Sequence, residues 1–120
     1  MVYPELSKSI LDAVFAVQRA LGPGLLEAPY HNALYYEFRA CGVPVEYNAG
    51  FTVTYRGQTV GEYFADLVVN RQIIIEVKAA AALTSVHEAQ LLNYLHISGL
   101  RLGFLVNFGG IKASWKRMVL

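Results

Sequence analysis

The run Ile73-Ile74-Ile75-Glu76-Val77-Lys78 constrains this chain more than any other segment. Its β-branched residues favour an extended backbone, and an almost unbroken apolar run fits a strand covered on both faces. Such a strand sits inside a sheet with helices on either side, so the chain is expected to be α/β. Two charges interrupt it. Alternation places Ile74, Glu76 and Lys78 on one face and Ile73, Ile75 and Val77 on the other. A carboxylate and an ammonium therefore lie side by side where an isolated charge is costly. They must pair with each other, meet a metal, or reach solvent at a cleft.

The flanking periodicities supply the other elements. Leu6, Ile10, Val14, Val17 and Leu21 recur at helical spacing, which predicts a helix from about Pro4 to Leu21, closed by Gly22-Pro23-Gly24. Leu26, Tyr30, Ala33, Leu34 and Phe38 predict a second helix ending at Gly42. Pro29 must lie in its first turn, so Glu27 stands at the helix entrance. The pattern then becomes β-type over Val43 to Tyr47, Phe51 to Tyr55 and Val60 to Val69, with a turn at Arg56-Gly57-Gln58. Ser85 and Glu88 have capping-box spacing, and a helix from about Val86 to Ile97 stops at Gly99. Leu102 to Phe108 and Ile111 to Val119 read as two strands joined by Gly109-Gly110. The expected order is α-α-β-β-β-β-α-β-β, a central mixed sheet flanked by helices, in one domain spanning residues 1–120. With 55% hydrophobic residues, 120 residues can bury a core without disulfide or metal staples.

Composition narrows the function classes. The formal net charge is +1, so bulk charge gives no case for nucleic-acid binding, and any phosphate-binding surface has to be local. Lys112, Lys116 and Arg117, with Arg101, form the candidate basic cluster; a solvated basic face is the competing reading. A lone cysteine, Cys41, excludes an intrachain disulfide. The N-terminal segment lacks a signal-peptide pattern, and no apolar run approaches the roughly 20 residues needed to span a bilayer. A cytoplasmic protein without membrane contact is expected.

Asp66 interrupts the preceding strand as Glu76 interrupts the next. If Asn70-Arg71-Gln72 forms a three-residue hairpin loop, Asp66 pairs with Glu76 and both carboxylates share a face; a two-residue loop pairs Asp66 with Ile75 and separates them. Two close carboxylates repel, and hard oxygen donors suit Mg2+ or Mn2+. In the following helix, His87, Gln90 and Tyr94 occupy one polar stripe. His87 could equally be a helix-entrance histidine, and Tyr94 a core aromatic.

Glu27, Asp66, Glu76-Val77-Lys78 and Gln90-Leu91-Leu92-Asn93-Tyr94, in that order, resemble the PD-(D/E)xK nuclease superfamily. Gly24-Leu25-Leu26-Glu27-Ala28-Pro29-Tyr30, Ala65-Asp66-Leu67 and His87-Glu88-Ala89-Gln90 look more closely like its small bacterial GxxExxY proteins. The resemblance spans almost the whole chain. It departs from the pattern where Tyr63-Phe64-Ala65, not proline, precedes Asp66.

The resemblance implies a restriction-endonuclease-like fold and Mg2+ or Mn2+ held by Asp66, Glu76, the Val77 carbonyl and Glu27. It also implies catalysis by these groups with Lys78 and Gln90. His87, Tyr94, Lys112, Lys116 and Arg117 are the candidate substrate contacts. The expected activity is metal-dependent hydrolysis of phosphodiester bonds in DNA, with RNA as a second substrate class, and a homodimer would extend the reach of so small a domain. The alternatives are a catalytically silent nuclease-fold module that binds nucleic acid or a protein partner, and an assembly protein in which Lys78 bridges the two carboxylates.

Overall fold

The computed structural model describes residues 2–120. Helix α1 spans Pro4–Leu21, its proline at a position where no helical N–H is lost, and it buries Ile10, Ala13, Val14 and Val17. Helix α2, Glu27–Ala40, carries Pro29 in its first turn, as predicted, and buries Tyr30, Leu34 and Phe38. The strands are β1 (Val45–Tyr55), β2 (Gln58–Val69), β3 (Ile73–Lys78), β4 (Leu102–Asn107) and β5 (Ser114–Val119), with α3 (Ser85–Ser98) between β3 and β4. They form one sheet in sequence order. Only the β3–β4 pair is parallel, because α3 carries the chain back across the sheet; the other pairs are antiparallel.

The isoleucine run occupies the middle strand, and every residue from Ile73 to Val77 is buried. Ile73, Ile75 and Val77 pack under α1 and α2 with Leu67, Val69, Phe104 and Val106. Ile74 packs on the opposite face with Leu91 and Leu95 of α3 and Leu105. Two apolar layers thus sandwich the sheet, and the face carrying Glu76 and Lys78 is the one that α3 covers.

The two strands expected before Arg56 are one continuous β1, so three strands, not four, precede α3. The sequence break at Asn48-Ala49-Gly50 is a kink. Asn48 has φ 49°, a left-handed conformation that asparagine tolerates better than most residues. Across from it lies Asp66, between the paired couples Tyr47–Leu67 and Ala49–Ala65. At this point both strands change the face they bury. Val45, Leu67 and Val69 pack on the α1–α2 side, whereas Ala49, Phe51, Tyr63 and Ala65 pack on the α3 side. Asp66 stands at the pivot.

Three boundaries also differ from the sequence pattern. The first strand begins at Val45, after Pro44. The cap of α3 is Thr84, not Ser85: its hydroxyl accepts from the His87 N–H at 3.3 Å while His87 Nδ1 accepts from the Thr84 N–H at 3.2 Å. His87, rather than Glu88, therefore completes the capping box. Strand β5 starts at Ser114, because the chain after β4 is held elsewhere. Buried Asn107 accepts from the Ala80 and Gly109 amides and donates to the Ala80 carbonyl, each at 3.0 Å.

Gly109 lies directly on the Ala80 backbone: a Cβ there would come within 2.0 Å of the Ala80 carbonyl oxygen. Because that neighbour is main chain, Gly109→Ala must displace the segment that follows β3. It is expected to destabilise the protein by about 2–3 kcal/mol, measured as the shift of the urea midpoint at unchanged slope.

Candidate active site

The turn Asn70-Arg71-Gln72 decides the site. Asn70 and Arg71 both take left-handed conformations (φ 53° and 56°) and Val69 pairs with Ile73, so the loop has the three residues that bring Asp66 opposite Glu76. Backbone pairing runs only from Val69–Ile73 to Leu67–Ile75, and there the strands part. At the fork the side chains take over from the ladder. The Asp66 N–H donates to Glu76 Oε2 at 3.0 Å, and the Val77 N–H donates to Asp66 Oδ2 at 2.8 Å. Each carboxylate thus accepts an amide of the opposite strand. Since the N–H and C=O of one strand residue face the same neighbour, the Val77 carbonyl faces this gap too.

A third donor holds Glu76. The Tyr63 hydroxyl donates to Glu76 Oε1 at 2.8 Å, and the Tyr63 ring stacks on Tyr94 of α3 at 3.8 Å between centroids. Of the four carboxylate oxygens, Asp66 Oδ1 alone has no protein donor among the described residues. On the other side, His31 Nε2–H donates to the Asp66 carbonyl at 2.8 Å, the only role that nitrogen can have toward a carbonyl.

These contacts shape the electrostatics. Glu76 is 6% exposed, and burial followed by the Asp66 charge pushes its carboxyl up from 4.5 to about 7, against the lowering by its hydrogen bonds and by Lys78. Burial and the Glu76 charge hold the Tyr63 hydroxyl firmly protonated, as a donor to Glu76 must be. Tyr94 is shifted upward as well, by burial and then by the charges of Glu76 and Asp66. One face therefore presents two carboxylates, of which buried Glu76 resists ionisation, beside a lysine.

The expected residues are only partly gathered. Asp66, Glu76, Val77 and Lys78 converge, with Tyr94 behind them. Glu27 is exposed in the first turn of α2, one helical turn before His31, and so on the helix side that reaches Asp66. Among the described residues no group of three or more His, Cys, Asp or Glu side chains is arranged to hold a metal ion, so Glu27 does not join the two carboxylates at such a distance. The polar stripe of α3 is divided: His87 serves the cap, Tyr94 stacks, and Gln90 is exposed rather than lying on the neighbouring strand.

The basic cluster is divided as well. Lys116 pairs with Leu105, which pairs with Glu76, and its ammonium lies 3.9 Å from Glu88 of α3; it shares the face of the carboxylates. Arg117 points to the α1 side and donates to the Val2 carbonyl at 2.7 Å. Lys112 is exposed in the connection before β5. Adjacent residues on a strand cannot line one patch, which is why Lys116 and Arg117 separate. Tyr63 and His31 went unnoticed in the sequence; the spacing of His31 four residues after Glu27 was the available signal for one of them.

Comparison with known proteins gives the same direction. A model of the PD-(D/E)XK nuclease superfamily matches residues 4–118. No curated protein matches the chain. The crystal structure of SSO0001 is similar in fold, with a TM-score of 0.62 at 20% identity. That match covers 98% of this chain and 59% of SSO0001, so the chain spans about three fifths of that protein's length. The architecture, a five-stranded mixed sheet between helices, is restriction-endonuclease-like. No helix of the described residues is long and apolar enough to cross a membrane.

The raised Glu76 carboxyl has a consequence for stability. The folded state keeps a proton that the unfolded chain releases above about 4.5. Stability from this group is therefore complete below that value and is lost as pH rises through about 7. In metal-free buffer, Glu76→Gln is expected to be more stable than the parent at pH 8, by on the order of 3 kcal/mol. The gap should close by pH 4, with thermal melts in EDTA across this range as the measurement. A variant less stable than the parent at pH 8 would count against a strained carboxylate.

Proposed function

The chain belongs to the PD-(D/E)XK nuclease superfamily, and from that premise we propose that it is a metal-dependent nuclease of the GxxExxY group, hydrolysing phosphodiester bonds of DNA or, as a second substrate class, RNA. The observation that carries this reading is the fork between β2 and β3, where Asp66 and Glu76 face each other across parted backbones with Lys78 two residues on along the same face.

The donor set fits a hard divalent cation. It consists of carboxylate and carbonyl oxygens; burial first and the Asp66 charge second raise the Glu76 carboxyl, and a cation between the two would relieve that repulsion. Asp66, Glu76 and the Val77 carbonyl would hold Mg2+ or Mn2+, with Glu27 reaching it from α2 directly or through water. When bound, the ion would offset charge building on the phosphate and ease deprotonation of water. Lys78 orients the attacking water and stabilises the anionic phosphate oxygens with its ammonium. Tyr63 holds Glu76 in place. Gln90 positions Lys78 or a phosphate, and Tyr94 and His87 meet the nucleic-acid backbone where α3 borders the site. Lys116, on the same face, and Lys112 extend the phosphate contacts, whereas Arg117, turned to the α1 side, takes no part in them. We place the activity in a single domain over residues 1–120 acting as a homodimer.

A catalytically silent module that binds nucleic acid or a protein is the second reading. It is favoured by the near-neutral net charge and by the distance of Glu27 from the other carboxylates.

Purified protein is expected to cleave DNA with Mg2+ or Mn2+ and not in EDTA. Asp66→Ala and Lys78→Ala should each lower the rate by about 100-fold or more, followed by gel assay. Retained activity in both variants would reject these assignments, while tight binding with no metal-dependent cleavage would select the silent module.

A further inference from the structure

On the far side of Asp66 from the Glu76 clasp lies an aromatic surface that the proposed chemistry does not use. His31, whose ring nitrogen holds the Asp66 carbonyl, stacks face to face on Tyr47 of β1, with centroids 4.4 Å apart and planes within 6°. Tyr47 in turn donates to Asn32 Oδ1 at 2.7 Å and meets Tyr35 edge-on at 5.4 Å. Tyr47, Asn32, Tyr35 and Tyr36 line a cavity of about 380 Å³, within the range of small-ligand sites. Tyr36 is 65% exposed and Tyr47 43%. Among the described residues no carboxylate lines this cavity, and the Arg39 guanidinium lies 5.6 Å over the Tyr35 ring.

Exposed phenol rings beside the carboxylate that would face a scissile phosphate suit one kind of occupant. Bases of a duplex are stacked on each other and offer no free face, whereas an unpaired base can lie on an aromatic ring. The Asn32 NH2, left without a protein partner among the described residues, can donate to a base edge. Charge argues the same way. With a net charge of +1 and its basic residues dispersed, this protein has few phosphate contacts to draw on, so contacts to bases carry more of the affinity.

We infer that the Tyr36–Tyr47–Asn32 cavity is a subsite for an unpaired nucleobase, making single-stranded or frayed nucleic acid the preferred substrate. The inference rests on the nuclease reading and specifies its substrate form. Because His31 joins the Tyr47 stack to Asp66, a base seated there sets the position of the strand relative to the carboxylates.

The test is binding, kept apart from cleavage by EDTA. A short single-stranded oligonucleotide carrying 2-aminopurine is titrated with the protein, and a blunt duplex of the same sequence serves as competitor. The single strand should bind more tightly than the duplex, with quenching of the probe. Tyr36→Ala and Tyr47→Ala should each weaken single-strand binding by roughly 10-fold, whereas Tyr36→Phe and Tyr47→Phe, which keep the ring, should retain it. Tyr55→Ala, at an exposed ring on the hairpin tip, should change nothing. Thermal melts verify folding, and the phenylalanine variants separate loss of the ring from a disturbed fold. If the protein cleaves nucleic acid with Mg2+ or Mn2+ but the alanine variants bind the single strand as the parent does, the subsite is wrong and the nuclease reading stands. If no nucleic acid is bound and none is cleaved with Mg2+ or Mn2+, both fail.

Discussion

Two carboxylates, each accepting a backbone amide from the other's strand, hold the fork on which this molecule depends. A β-ladder that ends inside a protein leaves N–H groups without partners, and a buried unpaired amide costs about as much as a lost hydrogen bond. Here the amides of Asp66 and Val77 are satisfied by Glu76 and Asp66. The strands can therefore diverge without that penalty, and their divergence leaves the carboxylates facing each other in the gap. The kink at Asn48 and Asp66 belongs to the same arrangement, because the hairpin must turn away from β3 just where pairing with it stops.

The arrangement favours chemistry over stability. Buried Glu76 sits beside Asp66, so its ionised form is unfavourable in the free protein. The Tyr63 hydroxyl, the Asp66 amide and nearby Lys78 offset part of that, but burial and the neighbouring charge prevail. An apolar pair at these positions would fold with less conflict, as is common for charges brought indoors. What the carboxylates supply instead is a point of unbalanced negative charge held by rigid strands, which a loop could not present so firmly. Tyr94, stacked on Tyr63, extends this rigidity to α3.

Much of this was legible in the residues. The isoleucine run located the central strand because only a strand covered on both faces uses so many β-branched residues, and the loop Asn70-Arg71-Gln72 fixed a register with just two outcomes, of which the observed one unites the carboxylates. The illegible parts depend on contacts distant in the chain. Nothing local shows that Asn48 bends a strand instead of ending it, since left-handed asparagines serve both purposes. Thr84 and Ser85 are adjacent hydroxyls, and His87 rather than Glu88 settles which one caps α3. Arg117 resembled a phosphate contact until its position on the α1 side and its bond to Val2 were visible. Tyr63 looked like one more aromatic of a strand, because its partner Glu76 lies 13 residues away.

The placement of Lys78 follows from the side of β3 opposite the fork. Its neighbours in the parallel pair are fixed: Lys78 lies beside Asn107, and its carbonyl accepts from the Phe108 N–H at 2.9 Å. Asn107 then secures Ala80 through both backbone groups, and Gly109 packs where any side chain would collide with that residue. The backbone at Lys78 is thus held by β4 while its side chain stays half-buried on the α3 face. Val77 points its amide to β2 and Lys78 points its carbonyl to β4, so one strand spans a fixed edge and an open one. The ammonium is therefore carried on a main chain tied to β4, and its own side-chain torsions are what is left to set its place on the α3 face.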